Sequence, residues 1–104
     1  MAYDVAILDS NGTLLAQVSL AYDDHEHLVA AAREYDLPVL QRMADYYEDV
    51  EISSEEISSL LHELEMLRHR AESQSHANAT VVQRLIELAQ AAKARQVGLT
   101  CIAD

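Results

Sequence analysis

The chain has 104 residues, of which 50% are hydrophobic and 24% are charged, and its formal net charge is -11. These values are typical of one globular domain with an ordinary core, and they exclude a disordered chain. The charge also argues against nucleic acid as a ligand, because an acidic surface repels a phosphate backbone.

Several features of the sequence indicate a cytoplasmic protein. The single cysteine, Cys101, cannot form an internal disulfide, which is typical of a reducing compartment. The N-terminal stretch has no basic residues, and Asp4 and Asp9 interrupt its apolar residues, so it does not resemble a signal peptide. No apolar run approaches the roughly 18 residues of a membrane span, so we expect no membrane partner.

The negative charge is confined to one half of the chain. Residues 1–56 contain 13 acidic and two basic residues, a net charge of -11, whereas residues 57–104 contain five of each and are neutral. Such a distribution attracts a basic partner and accelerates its encounter with the protein.

The first 20 residues predict a β-hairpin. Apolar and polar positions alternate from Tyr3 to Ile7, and Asn11-Gly12 supplies the positive φ of a tight turn. The returning strand then runs from Thr13 to Leu20. Its apolar positions share one face, which we expect to be buried: Leu14, Ala16, Val18 and Leu20.

The next segment predicts one helix and an ambiguous stretch. Asp23 and Glu26 have the spacing of a capping box that opens a helix, which ends by Asp36 because Pro38 restricts the residue before it. Pro38 can open a second helix. Residues 37–52 as a whole fit either an irregular helix or a loop.

Two long helices follow. Ser53 and Glu56 form a second capping box, which begins a helix over roughly residues 54–72, and the last helix ends at Gly98 as its C-cap. Residues 99–103 are short and partly β-branched and predict a third strand. The fold class is therefore α+β, with the hairpin and a short C-terminal strand forming a small sheet packed against about four helices, including a long antiparallel pair.

Two clusters have the composition of metal sites. His25 and His27 lie among acids, but on a helix their side chains point about 200° apart, which one ion does not span. The second cluster shares one helix face opposite the core stripe, where we expect solvent: His62, Glu65, His69 and Glu72. We predict no metal and no cofactor. A small metal-binding or regulatory protein is the alternative, and the second face leaves a homodimer open.

No catalytic signature is present. Two glycines cannot build a phosphate-binding loop, and no nucleophile motif surrounds any serine. Cys101 lies among apolar residues, where cysteine is usually an inert hydrophobic side chain. We therefore predict that the protein is not an enzyme; one using scattered carboxylates such as Asp9 or Asp24 is a second alternative.

The segment from residue 45 to residue 56 is the candidate binding site, because it holds six acids within twelve residues. Carboxylates at this density suit a partner lined by Lys and Arg, and tyrosine is a common interface anchor. The predicted partner-binding residues are Asp45, Tyr46, Glu48, Asp49, Glu51, Glu55 and Glu56.

Three segments also carry a resemblance. They are residues 3–9 with Asn11-Gly12, residues 42–49 (Arg-Met-Ala-Asp-Tyr-Tyr-Glu-Asp), and residues 101–104. With these, the chain resembles small acidic bacterial proteins of the toxin-immunity type. The resemblance implies a non-enzymatic inhibitor whose partner is a basic cognate toxin, and it assigns no role to any individual residue.

Overall fold

A computed structural model describes residues 3–45, 48–74 and 79–103, with residues 70–74 described by their backbone alone. Four strands form one antiparallel sheet: β1 (Tyr3–Leu8), β2 (Leu14–Leu20), β3 (Val50–Ile52) and β4 (Leu99–Ala103). The helices are α1 (Tyr22–Glu34), α2 (Pro38–Gln41), α3 (Ile57–Gln74) and α4 (Ala79–Arg95), and a 3-10 turn over Ser54–Glu56 precedes α3. The predicted α+β fold class is confirmed.

The hairpin forms as predicted, and its turn is built by two residues. Gly12 has a φ of 81°, and the Asp9 carboxylate accepts hydrogen bonds from the backbone N–H groups of Asn11 and Thr13 at 2.9 and 2.8 Å. The β1–β2 register is regular from Tyr3 opposite Leu20 onwards and shifts between Ile7 and Leu8. This shift is a bulge at the hairpin end of β2.

The sheet order is β2-β1-β4-β3, so β2 and β3 are its two edges. The C-terminal strand β4 pairs with β1, as predicted. The expectation of a helix or loop for residues 37–52 is wrong at its end, because Val50–Ile52 pairs with β4. This strand exists only through that long-range pairing, which no local pattern encodes.

The helices cover one face of the sheet. The core lies between that face and the helical layer, and the stripe predicted for α3 is buried within it, including Leu60, Leu64 and Leu67. Of the four β2 positions expected inside, Val18 and Leu20 are buried, whereas Leu14 and Ala16 are exposed. The bulge lies between Ala16 and Leu14, so Leu14 leaves the regular register, whereas Ala16 keeps its place opposite Ile7 and is exposed on the edge strand; the prediction is wrong at both positions.

Helix boundaries follow the predicted caps only in part. Ser53 and Glu56 form the expected capping box, with the Ser53 N–H donating to the Glu56 carboxylate at 3.1 Å. The predicted box at Asp23 and Glu26 is wrong, because α1 already begins at Tyr22 after its N-cap, Ala21. A single residue separates β2 from α1, so the end of the strand fixes where the helix begins.

The C-cap prediction for Gly98 is also wrong. The left-handed residue after α4 is Gln96, with a φ of 59°. The Val97 N–H donates to the Ala92 carbonyl at 3.0 Å and the Gln96 N–H to the Lys93 carbonyl at 3.1 Å, which is a Schellman motif. Gly98 instead lies against the backbone of Ile52.

Candidate protein-binding surface

Two buried polar side chains fix the segment that leads into the acidic stretch. Glu63 on α3 is 5% exposed, and its carboxylate oxygens accept the backbone N–H groups of Val39 and Leu40 at 3.1 and 2.9 Å. These N–H groups lie in the first turn of α2, where the helix itself offers no acceptor. Glu63 therefore caps α2 from a neighbouring helix.

His25 on α1 contacts the other end of this segment, at Met43. Its ring is 3% exposed, its Nε2 lies 2.6 Å from the Met43 carbonyl oxygen, and it packs against the Tyr3 ring at a centroid distance of 4.8 Å. His25 is thus a core residue, whereas His27 is exposed.

On the sequence alone we considered His25 only as a metal ligand and did not single out Glu63, although the spacing of both residues indicated burial. Glu63 lies three residues after Leu60 and four before Leu67, which places it on the buried stripe of α3. His25 lies three residues before the buried Leu28 on α1. A polar residue on a core stripe is expected to find a buried partner.

Arg42 connects this fixed segment to the acidic stretch. Its guanidinium forms an ion pair with the Glu56 carboxylate and donates a hydrogen bond to the backbone carbonyl of Glu51 at 2.6 Å. It therefore joins the edge strand β3 to the capping box of α3. The hydrogen bond from Arg42, together with those from Ser53, lowers the pKa of Glu56 to about 2.

This lowered pKa predicts an acid-dependent loss of stability. Glu56 has an ordinary pKa of 4.5, so its contribution is complete above pH 4.5 and is lost as the pH falls from 4.5 towards about 2. We expect the urea-denaturation midpoint of Glu56→Gln to change less with pH across this window than the midpoint of the wild type does. Glu55→Gln, a neighbouring exposed carboxylate, is the matched control, and an equal flattening in the control would contradict the assignment.

Five of the six acids of the candidate site fall into two groups. Asp49 is held internally, because its Oδ1 accepts the Ala103 N–H at 2.7 Å, as Glu56 is held by Arg42 and Ser53. Three other carboxylates are exposed and make no hydrogen bond or ion pair within the described part of the chain: Glu48, Glu51 and Glu55. Internal contacts thus position a segment whose remaining acids face solvent.

Asp45 lies at the start of the segment, beside a groove of about 470 Å³ between α1 and residues 44–45. Its backbone carbonyl accepts the Glu48 N–H at 3.3 Å. The exposed Tyr22 and Arg33 line the same groove. The predicted anchor Tyr46 lies outside the described residues, as does Tyr47.

A second, shallow cleft of about 690 Å³ lies between the hairpin turn and β3. Its carboxylates are Asp9, Glu51 and Glu56. Asp9 is engaged by the turn N–H groups and Glu56 by Arg42, so Glu51 is the cleft carboxylate left without an internal partner in the described structure.

The other candidates for chemistry are Cys101 and the histidine and glutamate cluster on α3. Cys101 is buried in β4, and burial raises the pKa of its thiol to about 11, so it is not a thiolate at neutral pH. His62, Glu65 and His69 are exposed, as expected, while the side chain of Glu72 lies outside the described set. Across residues 3–45, 48–74 and 79–103, no three His, Cys, Asp or Glu side chains are arranged to hold a metal ion.

Comparison of the chain with protein-family models, with curated proteins and with solved structures gave no match. The acidic segment is therefore interpreted from its own geometry. Among the helices of the described residues, none is long and apolar enough to cross a bilayer.

Proposed function

We propose that this chain is a non-enzymatic inhibitor of the immunity type, which binds a basic bacterial toxin through the segment from Asp45 to Glu56. The observation that carries the proposal is the set of three exposed carboxylates without internal partners, on Glu48, Glu51 and Glu55. They lie on and around the edge strand β3, which Arg42 and Asp49 hold in place.

The arrangement suits protein recognition for a physical reason. The backbone that carries these acids is already held in place, so binding does not have to order it, and more of the charge attraction appears as affinity. The neutral C-terminal half adds no opposing field, because its five acids are balanced by five bases. The exposed carboxylates of the segment therefore attract a Lys- or Arg-rich surface and speed its encounter with the protein.

The test is a binding measurement against a basic toxin encoded beside this gene. Replacing Glu48, Glu51 and Glu55 together with Gln is expected to lower the association rate by at least tenfold at low salt, and the difference should shrink as salt screens the charges. Surface plasmon resonance over a series of salt concentrations measures this directly.

A matched control removes the same charge elsewhere. Asp23→Asn, Glu65→Gln and Glu87→Gln together neutralise three exposed acids outside the segment, and we expect a much smaller effect. Equal losses in both triple variants would show that net charge, and not this surface, governs binding. A toxin that the wild-type chain neither binds nor neutralises in co-expression would refute the proposal.

A further inference from the structure

The two edges of the sheet differ in how they are protected. Edge strands leave backbone N–H and C=O groups unpaired, and proteins commonly block them with charges, proline or short strands. The β3 edge has three residues, an exposed Glu51, and a carbonyl occupied by Arg42. The β2 edge has seven residues, Leu14–Leu20, with neither a charged residue nor a proline.

Exposed apolar side chains accompany the unpaired backbone of β2. Leu14 and Leu15 are 49% and 44% exposed at its hairpin end. Ala16 is exposed, although Ile7 opposite it on β1 is buried. The bulge lies beyond Ala16, so Ala16–Leu20 remains a regular edge of five residues, with which no other described strand pairs.

We propose that this edge is a dimer interface, at which β2 of a second copy of the chain pairs antiparallel about a twofold axis at Val18. Val18 is the centre of the regular edge, so this register uses its full length. It places Ala16 opposite Leu20 and Gln17 opposite Ser19 of the other copy, apolar against apolar and polar against polar. Two four-stranded sheets then join into one of eight strands.

The strand β2 offers no carboxylate to a basic partner, and its own residues are complementary in the twofold register, so a second copy fits this edge better than a basic partner does. Two chains of net charge -11 repel each other, so they approach most readily where the contacting strand is uncharged. The sheet order β2-β1-β4-β3 puts the acidic edge at the opposite side of the sheet. Pairing through β2 therefore keeps the two acidic segments far apart and leaves both accessible.

The first test is the molar mass in solution, measured by light scattering over a range of protein concentrations. We expect the wild-type protein to approach twice its monomer mass of 11.6 kDa as concentration rises. Ala16→Lys puts a charge opposite Leu20 of the other copy and is expected to raise the dimer dissociation constant at least tenfold. Its circular dichroism and melting temperature, measured on dilute monomer, should match those of the wild type.

Ala94→Lys is the matched control, because it makes the same substitution at an exposed position of α4. It should leave dimerisation unchanged. In a second measurement, Gln17→Cys should be linked between copies by a short bismaleimide, whereas Ser58→Cys on the exposed face of α3 should not. The wild-type chain is the blank, since its one cysteine is buried.

Three results would overturn the inference. They are a monomer at every concentration, a dimer that Ala16→Lys does not weaken, and β2 amides that gain protection from hydrogen exchange only when a basic partner is added. The last result would assign the edge to that partner. None of them bears on the acidic segment, so the two proposals fail separately.

Discussion

Glu63→Ala is expected to lower the free energy of unfolding by about 3 kcal/mol, because it leaves two buried backbone N–H groups without an acceptor. The Glu63 carboxylate accepts both the Val39 and the Leu40 N–H. The Glu63 side chain is only 5% exposed, so the site is shielded from bulk water that could replace the lost acceptor. Against a typical total of roughly 5–15 kcal/mol, this is a large loss. Urea denaturation followed by circular dichroism measures it.

Two further variants separate the hydrogen bonds from the space that the side chain fills. Glu63→Gln has nearly the same volume, but its amide NH₂ cannot accept from an N–H group. We therefore expect at least half of the loss to persist in it. Glu65→Ala, an exposed glutamate on the same helix, should change stability by no more than about 0.5 kcal/mol.

The loss should also appear locally. Hydrogen exchange at the amides of Val39 and Leu40 is expected to accelerate in Glu63→Ala more than exchange in the strand β1. A uniform acceleration would mean that Glu63 contributes only to global stability. A Glu63→Gln variant as stable as the wild type would contradict the capping role altogether.

Much of the fold was predictable because its signals are local. The Asn11-Gly12 turn and the alternation from Tyr3 to Ile7 determine the hairpin, and the Ser53–Glu56 capping box starts the long helical hairpin. Apolar spacing then assigns the buried faces of α3 and α4, since side chains three and four positions apart share a helix face. None of these inferences needed a long-range contact.

The wrong predictions concern elements that long-range contacts determine. β3 is a strand only because it pairs with β4, and α1 begins at Tyr22 because Ala21 alone connects it to β2. Both outcomes depend on tertiary geometry that overrides the local preference. The capping box predicted at Asp23 and Glu26 failed for this reason, although its sequence matched the motif.

The candidate site was likewise predictable only where its signals are local. The excess of acids between residues 45 and 56 is visible in the sequence, and the capping box already implied an internal role for Glu56. The contact of Asp49 with Ala103 was not predictable, because its partner lies at the other end of the chain. Which carboxylates remain available to a partner therefore required the three-dimensional structure.

Gly98→Ala is expected to destabilise the protein by about 3 kcal/mol, for a steric reason unrelated to helix capping. A Cβ at this position would lie 2.1 Å from the Ile52 carbonyl oxygen, which is far inside a van der Waals contact. The obstacle is backbone and not the flexible end of a side chain. Ile52 is also paired with Leu99, so relief requires β3 and β4 to shift apart.

Gln96→Gly tests the other half of this interpretation. Gln96 holds the left-handed conformation that ends α4, where glycine has no Cβ penalty. We expect a gain of about 0.5 kcal/mol, the small difference between relieved strain and added flexibility of the unfolded chain. A Gly98→Ala variant of wild-type stability, or a Gln96→Gly variant that is strongly destabilised, would reverse the two assignments.

The Gly98 contact also connects stability to the binding surface. Moving Ile52 away from residue 98 moves Glu51, the neighbouring residue of β3, together with the carbonyl that Arg42 binds. We therefore expect Gly98→Ala to weaken partner binding under conditions where the variant is still folded, whereas Gln96→Gly should not. The close approach of two backbones thus fixes the position of a carboxylate that has no internal partner of its own.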